Sequence, residues 1–213
     1  MASTERIFEL LDTKPDIKDE EGAYPIPDIQ GEVRFEDLEF YYDPDKPVLK
    51  GVDFVVKPGE TIALVGPTGA GKSTIVNLIS RFYDPIKGRV LIDGHDIKGV
   101  TLNSLRKQMG VMLQDSFIFS GTIMDNIRYG KLDATDEEVM NAAKVVNAHG
   151  FISEMEKGYY TEVKERGSRL SQGQKQLISF ARALLADPRI LILDEATSSI
   201  DTQTEILVQQ GLA

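Results

Sequence analysis

Hydrophobic and polar positions change period several times along the chain. From Glu32 the pattern has period two, with Val33 and Phe35 on one face and Leu38 and Phe40 in the next phase, which predicts a strand with a bulge near Asp37. A turn through Asp43-Pro44-Asp45-Lys46-Pro47 precedes a second strand in which Val52, Phe54 and Val56 alternate, and Lys57-Pro58-Gly59-Glu60 reads as another turn. The apolar run Thr61 to Val65 predicts a third strand. A helical period then takes over: Ile75, Leu78, Ile79 and Phe82 share a face over residues 73–83, stopped by Asp84-Pro85. Arg89 to Ile92 reads as a short strand closed by Asp93-Gly94, followed by a brief helix over 102–107 and a strand over 110–113. Thr135 with Glu138, and Ser171 with Gln174, have the spacing of capping boxes for helices reaching about Val146 and about Ala186. The second of these buries Leu177, Phe180, Ala181 and Leu184. Asp187-Pro188 ends it, and Ile190-Leu191-Ile192-Leu193 is an unbroken apolar run of the kind found in parallel strands buried on both faces.

Strands alternating with helices predict an α/β fold whose core is a parallel sheet, with an antiparallel N-terminal layer and a helical insertion. Ahead of Glu32, residues 12–31 are charged and punctuated by Pro15, Gly22, Pro25 and Pro27, the composition of a linker. The first eleven residues place Ile7, Leu10 and Leu11 on one face of a short amphipathic helix and lack the basic-then-apolar order of a secretory signal.

Composition narrows the function classes. The 213 residues are 41% hydrophobic, enough for a real core, and 34 acidic against 24 basic residues give a net charge of -10 that opposes non-specific binding to nucleic acid. The absence of cysteine excludes disulfides and thiolate metal sites, and His95 and His149 are too few for a histidine metal cluster. No apolar run approaches the roughly 18 to 20 residues that span a bilayer, so a folded, soluble chain is expected.

The strongest chemical signal is Gly66-Pro67-Thr68-Gly69-Ala70-Gly71-Lys72-Ser73, which satisfies the phosphate-loop pattern at every fixed position. Glycines let the backbone curl so that its N–H groups meet phosphate oxygens, Lys72 reaches the β- and γ-phosphates, Ser73 suits Mg²⁺, and the helix that follows adds its N-terminal dipole. Thr74 continues the same binding stretch. Asp194-Glu195, at the exit of the apolar strand, is the second signal: two carboxylates there are costly unless a cation compensates them. With a nucleotide in place, Asp194 serves the metal indirectly, through water or through the groups that bind it, and Glu195 orients or deprotonates the attacking water.

The third signal, Leu170-Ser171-Gln172-Gly173-Gln174, makes the likeness specific. The chain resembles the nucleotide-binding domain of an ATP-binding cassette (ABC) transporter of the exporter type over essentially all of residues 32–213. Arg81-Phe82-Tyr83-Asp84-Pro85, Gln114-Asp115, Gly121-Thr122-Ile123 with Asn126-Ile127, and Asp194 to Ser198 carry the same resemblance. It implies a P-loop NTPase (RecA-like) core, an N-terminal antiparallel β subdomain and a helical subdomain at about residues 115–186, with residues 1–31 a linker from a transmembrane domain.

Site roles follow from that resemblance. Tyr42 is similar to the aromatic residue that stacks on adenine; Tyr41 competes, but alternation from Phe40 favours Tyr42. Gln114 resembles the glutamine that touches Mg²⁺ and the attacking water. Ser171 and Gly173, with Gln174, resemble the residues that bind the γ-phosphate of ATP held by the opposite subunit, and Ser171 also suits a helix cap. Thr161 to Gly167 resembles the segment by which exporter domains sense their membrane partner, with Glu165 in that role and Lys164 where glycine is common. Ser199-Ile200-Asp201 resembles a loop that contacts the partner subunit. The resemblance also implies a γ-phosphate histidine on a strand beyond the helix starting near Thr202, and the sequence given stops at Ala213, so weak turnover by this stretch alone is expected. The implied function is ATP binding and hydrolysis, with Mg²⁺, at the cytoplasmic face of a membrane exporter through head-to-tail pairing of two such domains. An ATP-gated dimerisation module without effective hydrolysis is the alternative.

Overall fold

The computed structural model describes residues 6–8, 11–112, 117–164, 167–168 and 170–193. Its contacts divide the chain into two units, Met1–Arg106 and Lys107–Ala213.

The first unit is built on an antiparallel sheet of order β2-β1-β3-β4, from β1 (Val33–Asp43), β2 (Lys46–Val56), β3 (Lys87–Ile92) and β4 (His95–Asp96). The expected bulge is present. Register between β1 and β2 shifts between Phe35 and Leu38, and Asp37 takes a left-handed φ of 44°. With this shift, the first of several along the pair, Val33, Phe35, Leu38 and Phe40 all lie in the core, although their spacing changes phase. The turn at Lys57 to Glu60 closes with Glu60 N–H donating to Lys57 O at 3.0 Å.

Two expectations need correction in this unit. The run Thr61 to Val65 is not a strand: it pairs with none of the described strands, and Val65 is 88% exposed. An apolar run becomes a parallel strand only when ladder neighbours satisfy its backbone, and no described strand of this unit supplies them. The helix after the loop, α1 (Lys72–Ile79), is also shorter than its apolar period suggests. Ser80 caps it and Arg81 turns left-handed (φ 49°), so Thr74, Val76 and Leu78 are buried while Phe82 is half-exposed, with the Arg106 guanidinium 4.8 Å over its ring.

Arg81, 1% exposed, explains that ending. Its Nε donates to Asp84 Oδ1 at 3.1 Å, Nη1 to Val100 O at 3.0 Å and Nη2 to Lys18 O at 3.3 Å, so a fully buried cation is met by a carboxylate and two carbonyls. Residues 18–31 thereby lie against the unit. Asp19 Oδ1 accepts from Leu102 N–H at 2.7 Å, the Asp93 carboxylate accepts from the N–H groups of Gln30, Gly31 and Glu32, and Ile26 and Ile29 are buried. The brief helix α2 (Leu102–Arg106) completes the unit.

The second unit pairs β5 (Met109–Met112) in parallel with β8 (Ile190–Leu193), as two apolar runs of a parallel sheet should. Burial of β8 on both faces is not observed: Ile190, Leu191 and Ile192 are partly exposed and Leu193 is 41% exposed. Among the described residues β8 has β5 as its one paired strand. The helices α3 (Ile123–Arg128), α4 (Asp136–Val145), α5 (His149–Ser153) and α6 (Gln172–Leu185) enclose a core of Ile123, Ile127, Val139, Ala143, Ile178 and Phe180, and β6 (Gly121–Thr122) pairs with β7 (Glu162–Val163). Both expected capping boxes form, Thr135 with Glu138 and Ser171 with Gln174, and Thr122 with Asp125 makes a third.

Candidate nucleotide site

In the first unit the site is built around the start of α1. Gly69 and Gly71 hold left-handed φ of 86° and 92°, a region costly for residues with a Cβ, and a Cβ on Gly71 would lie 2.7 Å from Leu49 Cδ2. Ala70 N–H donates to Pro67 O at 3.1 Å and tightens the curl. Where Thr122, Thr135 and Ser171 close the starts of α3, α4 and α6, α1 begins at Gly71 with no side-chain cap and no acid in its first turn. Its first-turn N–H groups and the positive end of its dipole therefore suit an anion. Lys72 Nζ donates to Gly66 O at 2.8 Å and Pro67 O at 3.1 Å, which keeps the ammonium folded over the loop. Ser73 follows it, exposed, with its hydroxyl one residue into the helix.

Tyr42 stands at the side of the same helix. Its hydroxyl donates to Thr74 Oγ1 at 3.3 Å and accepts from Asn77 Nδ2 at 3.3 Å. Its ring meets Phe40 and Tyr83 edge-on, with centroids 4.9 and 5.1 Å away, and the residue is 52% exposed. A half-open aromatic ring beside a phosphate loop is what a stacked base requires. Tyr41 has no such tie to α1.

The second unit, described on its own, carries Ser171, Gly173 and Gln174 at the start of α6. Ser171 Oγ accepts from Gln174 N–H at 3.2 Å, and Gln174 Oε1 accepts from Ser171 N–H at 3.0 Å. The amide of Gln174 is thus engaged within its own helix, as the capping-box spacing implies. Gln114, Glu165, Asp194 and Glu195, with the Ser199 to Asp201 loop, lie outside the described residues. Of the segment ahead of Glu165, Thr161 O accepts from Ile123 N–H at 3.2 Å. Asn77 carries no sequence signal, and its part is visible only once strand and helix are side by side, whereas Tyr83 belongs to the Arg81 to Pro85 motif.

The residues present fit Mg²⁺ in one way. Among the described residues no group of three or more His, Asp or Glu could cage a metal. Ser73 beside a phosphate cradle suits an ion that takes most of its remaining ligands from phosphate oxygens and water, the usual manner of Mg²⁺.

Residues 49–198 match the ABC transporter family. The chain belongs to that family. Among its relatives, an uncharacterized ABC transporter ATP-binding protein of Bacillus subtilis, YknV, is 59% identical over all of this chain and 35% of its own length. A putative multidrug export ATP-binding/permease protein of Staphylococcus aureus is 50% identical over 97% of this chain and 36% of its own. A solved bacterial Atm1-family ABC exporter with ATP bound shares 44% identity and a TM-score of 0.94, covering 99% of this chain and 37% of that one. This ABC chain therefore spans about a third of the length of these relatives, and its fold is that of an ABC ATP-binding domain. No helix among its described residues is long and apolar enough to cross a membrane.

Proposed function

We propose that this ABC domain binds and hydrolyses ATP at sites shared between two such domains, and that closure on ATP and opening after hydrolysis power export by a transmembrane partner at the cytoplasmic face of a membrane. The observation that carries the reading is the start of α1: a glycine-built, uncapped helix N-terminus under Lys72, with the Tyr42 ring at its side. That arrangement holds a triphosphate by its charge and a base by its face.

The proposed roles run from there. The loop from Gly66 to Ser73, with Thr74, cradles the phosphates, and Lys72 places its charge on the β- and γ-oxygens. Ser73, Gln114 and Asp194 hold Mg²⁺, which when bound neutralises phosphate charge. Glu195 orients the water that attacks the γ-phosphate, and Gln114 helps to place it. Ser171 and Gly173 at the start of α6 of a second domain bind the γ-phosphate from the other side, with Gln174 fixing Ser171 through the capping box. The relatives' names support the export reading, since one is an ATP-binding/permease protein and another an exporter.

The test is Glu195→Gln in a chain extended beyond Ala213. Binding of Mg·ATP should persist, phosphate release should fall by at least a hundredfold, and an ATP-dependent dimer should accumulate on size exclusion. Unchanged phosphate release would remove Glu195 from its role.

A further inference from the structure

Asn77 lies one turn into α1 from the phosphate loop and belongs to no nucleotide-binding pattern. Its Nδ2 donates to the Tyr42 hydroxyl at 3.3 Å, and that hydroxyl in turn donates to Thr74 Oγ1 at 3.3 Å. An amide nitrogen can only donate, so the phenol oxygen accepts from Asn77, and the same phenol group is hydrogen-bonded to Thr74. Thr74 is buried, 5% exposed, so its end of this bond is held in place by packing.

The ring itself has little else to hold it. It is half-exposed, and its other ring contacts are Phe40 and Tyr83, edge-on from its own sheet and from the segment after α1. The hydroxyl is the lever arm of the ring's tilt, and both groups gripping it stand on α1 at positions i and i+3, which share one helical face. The base platform on β1 is thus tied to the helix whose N-terminus cradles the phosphates.

We propose that Asn77 is a positioning residue for the nucleotide: by gripping the Tyr42 hydroxyl it sets the base platform in register with the phosphate loop. This rests on the reading of Tyr42 as the base-stacking residue. It follows that a phenol is required at position 42 and that a bare aromatic ring is an inferior platform there. It also follows that losing Asn77 weakens ligands that carry a base and spares those that are phosphate alone.

The experiment measures equilibrium binding of Mg·ATP and of Mg·tripolyphosphate, which has no base, to the wild type and to Tyr42→Ala, Tyr42→Phe, Asn77→Ala and the Tyr42→Phe/Asn77→Ala double variant. Asn77→Ala, which removes one hydrogen bond of the phenol, should weaken ATP about three- to tenfold, Tyr42→Phe, which removes both, at least as much, and both should leave tripolyphosphate unchanged. The double variant should be no weaker than Tyr42→Phe, which already removes the contact that Asn77→Ala removes. Equal weakening of both ligands by Asn77→Ala would mean damage to α1 and overturn the proposal. ATP binding lost in Tyr42→Ala but untouched in Asn77→Ala and Tyr42→Phe would overturn it while leaving the stacking role intact. Unchanged ATP binding in Tyr42→Ala would instead remove the stacking reading on which it rests.

Discussion

Arg182 grips Asn126 twice. Its Nε donates to the Asn126 carbonyl at 2.7 Å and its Nη2 to the Asn126 side-chain oxygen at 3.0 Å, while Nη1 reaches Phe117 O at 2.9 Å. Asn126 is 1% exposed and fully used: Oδ1 also accepts from Phe119 N–H at 2.9 Å, and Nδ2 donates to Phe119 O at 2.9 Å and Thr122 O at 3.0 Å. The guanidinium lies 5.2 Å from the Phe119 ring centroid, and burial pulls its pKa below the usual arginine range. This knot ties α6, which begins with the ABC signature, to residues 117–126.

Arg182→Lys should therefore destabilise the second unit by about 2–4 kcal/mol, because a lysine cannot form the fork and leaves buried acceptors unpaired. Asn126→Ala should cost a similar amount, and the double variant less than the sum. Urea unfolding of the three variants checks this; additive losses would show that the two residues act separately.

Gly71→Ala should abolish nucleotide binding. The left-handed φ of 92° strains any residue with a Cβ, and the new methyl would lie 2.7 Å from Leu49 Cδ2, so the loop must move. Gly59→Ala is the control: its φ of 72° is also left-handed, but a Cβ there meets nothing within 4 Å, and the site is elsewhere. It should lose stability and keep ATP affinity in direct titration.

The start of α4 should respond to acid. Lys131 first, and the Thr135 backbone and hydroxyl after it, hold the Glu138 carboxyl down to about 2 from 4.5. A carboxylate depressed in the folded state contributes stability above its unfolded pKa and loses it as pH falls through the folded one. The first turn of α4 should thus loosen as pH drops from about 4.5 to about 2. Amide exchange of Thr135 to Glu138 should show that loss in the wild type and little further change in Glu138→Gln.

What the sequence revealed divides along the range of the interactions. The capping boxes at Thr135 and Ser171 were legible because a cap is a contact between residues three apart. The Asp37 bulge was legible because a phase slip in an alternating strand has few other meanings. Thr61 to Val65 looked like a strand because its residue types suit one, but a strand is made by its neighbours. Phe82 fits the apolar period of α1, but the helix ends before it because Arg81 is buried by partners at Lys18, Asp84 and Val100, two of them far away in sequence. In the candidate site, alternation from Phe40 pointed to Tyr42, whereas Asn77 is 35 residues away and gave no local sign.

The central claim is that each ATP is held between the loop of one molecule and the α6 start of another, and mixing two defective variants tests it most directly. Lys72→Ala and Ser171→Arg should each release no phosphate from ATP alone, since every paired site then lacks one half. An equimolar mixture should regain turnover, because a mixed pair contains one site with both halves intact. Phosphate release by the mixture no greater than that of the separate variants would contradict the shared site.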